Sequence, residues 1–164
     1  VQGLFGLDTG GVLKLTIQEY FSPKHKKIDG VGITPEIAVD QFPLQLETAK
    51  RILGVYSSVK LDPSGLVYVN GEKYIGERPI AIQKNGEWFV AIRAIQNLFG
   101  GELTWNPELR YSFYKLKGTQ QFIKAGVNAN FFLQDGQTYM NLKQLLSAFP
   151  DAFSWDGEML RFIP

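Results

Sequence analysis

The stretch GEWFVAIRAIQNLFGGELTWNPELRYSFY, residues 86–114, decides the fold of the C-terminal part of the chain. The segment GQTYMNLKQLLSAFPDAFSWDGEMLRFIP, residues 136–164, follows the same pattern fifty residues later without a gap. Positions that match in character are Phe89 with Tyr139, Ile92 with Leu142, Arg93 with Lys143, Ile95 with Leu145, Phe99 with Phe149, Trp105 with Trp155, Asn106 with Asp156 and Glu108 with Glu158. This agreement predicts two copies of one structural unit.

Each copy has the pattern of a strand, a helix and a hairpin. Strand-like runs at residues 88–90 and 138–140 precede apolar residues at helical spacing. Helix stops follow, Gly100-Gly101 in the first copy and Pro150-Asp151 in the second. Turns at 106–107 and 156–157 then lead to final strands at 110–114 and 160–163. Because one unit is too small to bury both a sheet and a helix face, we expect the two copies to share one core.

The pattern Val-x-x-Arg-x-Ile-x-x-x-x-Gly-Gly-x-x-x-Trp at residues 90–105 resembles the stalk-type domain first described at the N-terminus of a copper amine oxidase. The resemblance runs from about residue 67 to the end of the chain. It implies a scaffold or attachment role on a secreted bacterial protein, and it does not imply copper. With one His, no Cys and no clustered ligand spacing, the sequence predicts neither a metal nor a cofactor.

The composition limits the class of protein that the chain can be. The 164 residues are 45% hydrophobic and 20% charged, which is typical of a folded protein of one or two small domains. The net charge of +1 is too balanced for a nucleic-acid surface or for general attraction to anionic membranes. No apolar run approaches the roughly 20 residues that a membrane-spanning helix needs.

Residues 1–40 carry a second set of motifs. They are Val1-Gln2, Asp8-Thr9-Gly10-Gly11, Lys14-Leu15-Thr16, Tyr20-Phe21-Ser22-Pro23, and IDGVGITPE at 28–36. Residues 12–17 alternate as a half-buried strand does, and the Gly-punctuated run at 28–39 predicts a second strand after a loop. In order and spacing the motifs resemble the segment that follows the catalytic Lys in the C-terminal processing, or tail-specific, serine peptidases.

That resemblance implies a serine-lysine mechanism. A neutral Lys deprotonates a Ser nucleophile, and in several members a Gln orients the Lys. Gln2 stands at the position of that Gln, while the Lys would lie three residues before Val1 and the Ser further upstream. An amide is neither a nucleophile nor a base at neutral pH, so we expect this chain alone to hydrolyse nothing.

A connector separates the two resemblances. Residues 42–54, with Pro near the start, Gly at the end and apolar residues at helical spacing, predict one amphipathic helix. Residues 56–65 have the composition of a linker, so the predicted domains are 1–41, 42–65 and 66–164. Residues 66–75 predict a hairpin, because Asn70-Gly71 supplies the two positive-φ positions of a type I′ turn.

Trp88, Tyr111 and Tyr114 are the predicted binding residues. Trp88 has Thr138 at its counterpart position and alternates with Phe89, so we expect it to face solvent. An exposed Trp near Tyr111 or Tyr114 would stack on a sugar ring or pack against a peptide.

Other candidates have plainer interpretations. Trp105 and Trp155 repeat with the apolar lattice and are predicted in the core. His25 is predicted as a solvated residue of a basic loop, and Asp8 and Asp29 as turn residues beside Gly.

Together these patterns predict an α+β chain: short, mainly antiparallel strands from the end of a protease core, one linking helix, and a two-repeat domain. By resemblance it is the C-terminal region of an extracytoplasmic bacterial serine endopeptidase, with a polypeptide substrate. The appended domain would attach the enzyme to peptidoglycan, recruit substrate or pair subunits as a homodimer. Two alternatives stay open, a non-catalytic envelope-binding module and a self-associating scaffold.

Overall fold

The computed structural model describes residues 1–108, 111–126 and 128–163. The chain divides into two compact units, Val1–Ala38 and Val39–Pro164. Within the described residues there are three helices, and the strand pairs are antiparallel. The chain is therefore an α+β protein, as predicted.

The first unit contains one hairpin. Strand β1 (Gln2–Gly6) pairs with β2 (Val12–Thr16) from Gln2 opposite Thr16 to Gly6 opposite Val12. The second strand predicted within 28–39 does not form in the described part of this unit, where Phe21 and Lys27 make an isolated bridge. The reason is local: residues 28–32 form turns closed by backbone hydrogen bonds to Ile28, with Gly30 and Gly32 at positive φ.

The second unit begins with a helix and a short meander. These elements are α1 (Phe42–Ile52), β3 (Ser58–Leu61), β4 (Val67–Val69) and β5 (Glu72–Lys73). Helix α1 is confirmed, with Pro in its first turn. The β4–β5 hairpin turns at Asn70-Gly71, where both residues have positive φ, as a type I′ turn requires.

The structure differs from the predicted linker at 56–65. Strand β3 occupies its centre and pairs with β4, so that Val59 lies opposite Val69. Val59 and Leu61 are buried and alternate with partly exposed Ser58 and Lys60, which is the pattern of a strand with one face on a core. The break between the compact units lies at 38–39, whereas the sequence predicts the boundary in the linker at 56–65; α1 and β3 both pack in the second unit.

The remaining elements follow in order. They are β6 (Ala81–Lys84), β7 (Glu87–Ala91), α2 (Ile92–Phe99), β8 (Glu102–Asn106), β9 (Tyr111–Lys115), β10 (Phe122–Ala125), β11 (Phe131–Gln134), β12 (Gln137–Asn141), α3 (Leu142–Ala148), β13 (Phe153–Trp155) and β14 (Met159–Phe162). The strand predicted at 110–114 is β9, and Arg110 lies outside the described residues.

Three sheets of the described residues share the core of the second unit. Their strand orders are β11-β12-β7-β6, β10-β9-β8 and β13-β14-β3-β4-β5. In the first sheet β7 and β12 are neighbours, and Val90 lies opposite Met140. The core includes Leu98 of α2, Leu145 of α3 and Phe149, all almost completely buried. Strand β3 therefore joins the hairpin β13–β14, the last elements described, to the start of the unit.

Candidate functional site

Gln2, the predicted orienting residue, lies at the first position of β1. Its side chain is exposed and has no hydrogen-bond partner among the described residues. Thr16 lies opposite it, and Leu4 and Lys14 follow on the same face of the hairpin. His25 and Lys14 are also exposed. The first unit thus presents Gln2 without a nucleophile or a base arranged beside it.

A concave site lies in the second unit. It is a cleft of about 430 Å³, which we call the Trp88 cleft. Its lining residues come from β3 and the turn after it, the β6–β7 hairpin, the start of α3 and the β13–β14 hairpin: Leu61, Pro63, Gln83, Gly86, Glu87, Trp88, Asn141, Leu142, Lys143, Leu146, Trp155 and Gly157. Both tryptophans are partly buried, so each offers part of its ring to the cleft.

One side of the Trp88 cleft is polar and tightly ordered. The Glu87 carboxylate accepts hydrogen bonds from Lys143 Nζ at 2.6 Å and from Asn141 Nδ2 at 2.8 Å. Asn141 Oδ1 in turn accepts from the backbone N–H of Lys143 at 2.9 Å and so caps helix α3. The hydrogen bond from Lys143, with help from Asn141, holds the pKa of Glu87 below its usual range. Glu87 is therefore a carboxylate at neutral pH.

This arrangement suits binding rather than catalysis. Aromatic and aliphatic groups line the cleft, and one carboxylate, one ammonium and one amide supply hydrogen-bonding groups. Such a combination takes ligands that are partly apolar and partly hydrogen-bonding. Lys143 has 80% of its side chain exposed, so its ammonium is accessible from solvent.

Tyr114, a predicted ligand contact, is a core residue in the structure. Tyr114 is fully buried on β9, and its hydroxyl donates a hydrogen bond of 2.7 Å to the carbonyl oxygen of Gly100. Burial raises the pKa of Tyr114 above its usual range. It is a core residue because the period of two in β9 places Ser112 and Tyr114 inward.

Tyr111 lies on the opposite face of β9. It is partly buried, and Lys124 Nζ lies 4.1 Å from the centre of its ring. That is a cation–π contact between neighbouring strands. Neither Tyr111 nor Tyr114 lines the Trp88 cleft, so the structure does not bring the three predicted binding residues together.

The other two tryptophans were both predicted in the core. Trp105 is instead 59% exposed, at the next-to-last position of β8. Trp155 is partly buried and packs against the core as predicted, and it also lines the cleft, a role that the sequence did not indicate. Its position in the repeat marked it as apolar, but no local pattern placed it beside Trp88.

Within the described ranges, no set of three or more His, Asp or Glu side chains is placed to hold a metal ion. The helices described there are too short or too polar to cross a membrane. Comparisons of the chain with protein-family models, with curated proteins and with solved structures found no match.

Proposed function

We propose that this chain is the C-terminal region of an extracytoplasmic bacterial serine endopeptidase of the C-terminal processing type. It supplies the last strands of the protease core and a stalk-type domain attached to it. The catalytic Ser and Lys would belong to the segment before Val1, and the chain alone would hydrolyse no peptide bond. The observation that carries the proposal is the exposed apolar surface of the hairpin in the first unit.

The hairpin β1–β2 exposes apolar side chains on both faces. Phe5, Leu13 and Leu15 share one face, and Leu4 and Val12 share the other. Their exposed fractions run from 43% for Leu13 to 70% for Leu4. A two-stranded hairpin is at best marginally stable in water, and apolar surface of this extent marks a contact with other structure. These features support a place for the hairpin inside a larger sheet, such as a protease core.

In that core Gln2 would be a positioning residue. Its amide would hold the side chain of the catalytic Lys in line with the Ser, and the Lys would accept the Ser proton as the hydroxyl attacks the substrate carbonyl. Lowering of the Lys pKa by an apolar setting would keep it neutral for this role. The exposed and unpartnered state of Gln2 within the described residues is compatible with such a contact.

For the second unit we propose the two-repeat stalk-type architecture. Its support is that hairpin, helix and hairpin follow in the same order over residues 81–115 and 131–162. The register of β7 with β12 also supports it: Val90 lies opposite Met140, fifty positions later, with Phe89 opposite Asn141 and Ala91 opposite Tyr139. A register centred on equivalent residues is what a two-fold relation between the copies requires.

The test is the native gene product. We expect its intact mass and N-terminal sequence to show an extension that carries a Ser and a Lys-Gly before Val1. The extended protein should cleave a fluorescently labelled unfolded polypeptide. Gln2→Ala should lower kcat on the order of 10²-fold, because a misplaced catalytic group has that effect. Gln18→Ala, which changes an exposed Gln of the same unit, is the matched control. A native chain that begins near Val1, or equal activity of the two variants, would overturn the proposal.

One observation favours a second function, a binding module. The Trp88 cleft combines two tryptophans with a polar side, and a domain that attaches an enzyme to the cell envelope or recruits its substrate needs such a surface. Binding of peptidoglycan fragments or unfolded polypeptide to the chain, weakened in Trp88→Ala and unchanged in Trp105→Ala, would establish it. Absence of binding to both would reject it.

A further inference from the structure

A short segment of the chain, residues 39–41, lies on a surface to which both repeats contribute, Arg93 from the first and Gln137 from the second. Asp40 forms ion pairs with Arg78 and with Arg93, the latter at 3.3 Å. Gln41 is only 2% exposed; its Nε2 donates to Gln137 Oε1 at 3.5 Å, and its Oε1 accepts from the Tyr74 hydroxyl at 2.6 Å. An amide side chain is thus held between a donor and an acceptor.

Val39 completes this internal contact. It is partly buried and packs against the hydrophobic core, two residues before Gln41. The segment therefore uses an apolar residue and an amide on alternate positions, with Asp40 between them reaching the arginines. Alternation of this kind is how an extended peptide presents side chains to a surface.

The residues fifty positions away from Gln137 and Arg93, each in the opposite repeat, lie in the Trp88 cleft. Fifty residues separate Gln137 from Glu87 and Arg93 from Lys143. Glu87 and Lys143 pair with each other at 2.6 Å, and in the described part of the chain no segment covers them as Asp40 and Gln41 cover Arg93 and Gln137. One half of the domain is thus occupied and the other is open.

We propose that the Trp88 cleft binds an extended peptide that carries Gln or Asn two residues after an apolar side chain. The amide would lie against Glu87 and Lys143, and the apolar side chain against Trp88 and Trp155. This inference deepens the binding function proposed above and rests on the two-repeat architecture. It names the ligand class as polypeptide rather than glycan.

Charge complementarity selects an amide at this place. Glu87 offers carboxylate lone pairs beyond those used by Asn141 and Lys143, and the Lys143 ammonium has further N–H donors. A primary amide donates to the first and accepts from the second. An acidic side chain there would face Glu87, where the filled half has the neutral Gln137. Because Glu87 stands where the other repeat has Gln137, the open cleft prefers a ligand group that donates a hydrogen bond more strongly than the filled surface does.

A peptide with the sequence of the chain's own bound segment serves as the probe, and Trp105 serves as the internal control. The probe is the peptide IAVDQFP, residues 37–43, acetylated and amidated at its ends and titrated into the ¹⁵N-labelled full chain. The chain has three tryptophans, and their indole N–H signals are followed. Trp88 and Trp155 line the cleft and should shift with saturation, whereas Trp105 does not line it and should stay. No variant is needed for this readout.

A second peptide tests the amide. With Glu in place of its Gln, we expect affinity to fall about tenfold or more, because a carboxylate would stand against Glu87 and a charge-assisted hydrogen bond would be lost. In the protein, Trp88→Ala should weaken binding by a similar factor and Trp105→Ala should leave it unchanged.

Several outcomes would overturn the inference. The first is that no indole signal shifts even when the peptide is at its solubility limit. The second is that the Trp105 signal shifts as much as those of Trp88 and Trp155. The third is equal affinity of the Gln and Glu peptides. Shifts of Trp88 and Trp155 with peptidoglycan fragments but not with peptide would assign the cleft to glycan instead. The peptidase activity of the extended gene product and its dependence on Gln2 are measured separately. A peptide that does not bind the cleft would therefore not contradict the proposed peptidase function.

Discussion

The two units of the chain place their apolar side chains in opposite ways. In the first unit Leu4 and Val12 are 70% and 65% exposed although they lie on paired strands. In the second unit Leu145 and Phe149 are at most 1% exposed. The comparison teaches that secondary structure alone stabilises little: a hairpin without a facing layer has backbone pairing but no core. We therefore expect nearly all the folding free energy to reside in residues 39–164.

Truncation of the chain should have the largest effect on stability, and the effect should depend on the first residue of the fragment. A fragment of residues 39–164 should unfold cooperatively with almost the full stability, and residues 1–38 alone should be unstructured. A fragment that starts at Gly65, at the boundary that the sequence predicts, should fail to fold. It lacks β3, which pairs with β14, and α1, whose Leu44 is fully buried.

Circular dichroism and thermal melts of the three fragments check this prediction. Loss of cooperative unfolding in 39–164 would show that the first unit contributes to the core. A stable 65–164 fragment would show that β3 and α1 are dispensable, and the sequence-based boundary would then be the better one.

A matched pair of Phe substitutions comes next. Phe149→Ala should cost about 3–5 kcal/mol of unfolding free energy, because it removes a buried ring that packs edge-on to Tyr114 with centroids 5.9 Å apart. Phe5→Ala, on the exposed hairpin, should change stability by about 0.5 kcal/mol or less. Urea titrations of both variants measure the difference; a large effect of Phe5→Ala would mean that its ring is buried in solution.

A buried carboxylate gives a smaller effect with a pH signature. Glu47 accepts hydrogen bonds from Lys50 Nζ at 2.8 Å, Ser57 Oγ at 2.7 Å and Asn70 Nδ2 at 2.6 Å. Burial favours its protonated form, but these hydrogen bonds outweigh burial and lower its pKa. Glu47→Gln should cost about 1–3 kcal/mol at neutral pH. The exposed Glu72→Gln on β5 is the control and should cost almost nothing.

The sign of the pH dependence follows from the lowered pKa. The stabilisation by Glu47 is fully present above the ordinary value of 4.5 and is lost as the pH falls from there through the folded pKa. The gap between wild type and Glu47→Gln should therefore narrow below pH 4.5. Urea titrations across this range check it, and a gap that widens on acidification would contradict the assigned network.

Local patterns predicted the local parts of the fold. The spacing of Ile92, Ile95 and Phe99 predicted α2, and Asn70-Gly71 predicted the β4–β5 turn, because helix faces and positive-φ turns depend on neighbouring residues. Strand β3 was missed because residues 56–65 were interpreted as a linker from their composition, although Val59 and Leu61 alternate with polar residues. One partner of β3, strand β4, follows after a short turn, and only the pairing of Val59 with Leu160 spans about a hundred positions of the chain.

Only those features of the candidate site that depend on neighbouring residues could be predicted from the sequence. Alternation with Phe89 predicted that Trp88 faces solvent; in the structure it is partly buried, packs against the core and lines the cleft. The sequence could not show that Trp155 and Pro63 meet it there, since three separate elements bring them together. It also could not choose which face of β9 turns inward, and so it grouped buried Tyr114 with Tyr111.

That pair of tyrosines gives the smallest and most local test. Tyr114→Phe removes a hydroxyl that donates to Gly100 at 2.7 Å inside the core, so the carbonyl oxygen loses a buried partner, and we expect a cost of about 1 kcal/mol. Tyr111→Phe keeps the ring under Lys124 and, on the outer face, should change stability by less than about 0.5 kcal/mol. Burial also raises the pKa of Tyr114, so its phenol should ionise only above the usual range of a tyrosine. Equal costs for the two variants, or a Tyr114 that ionises within that usual range, would place Tyr114 at the surface after all and reopen it as a ligand contact.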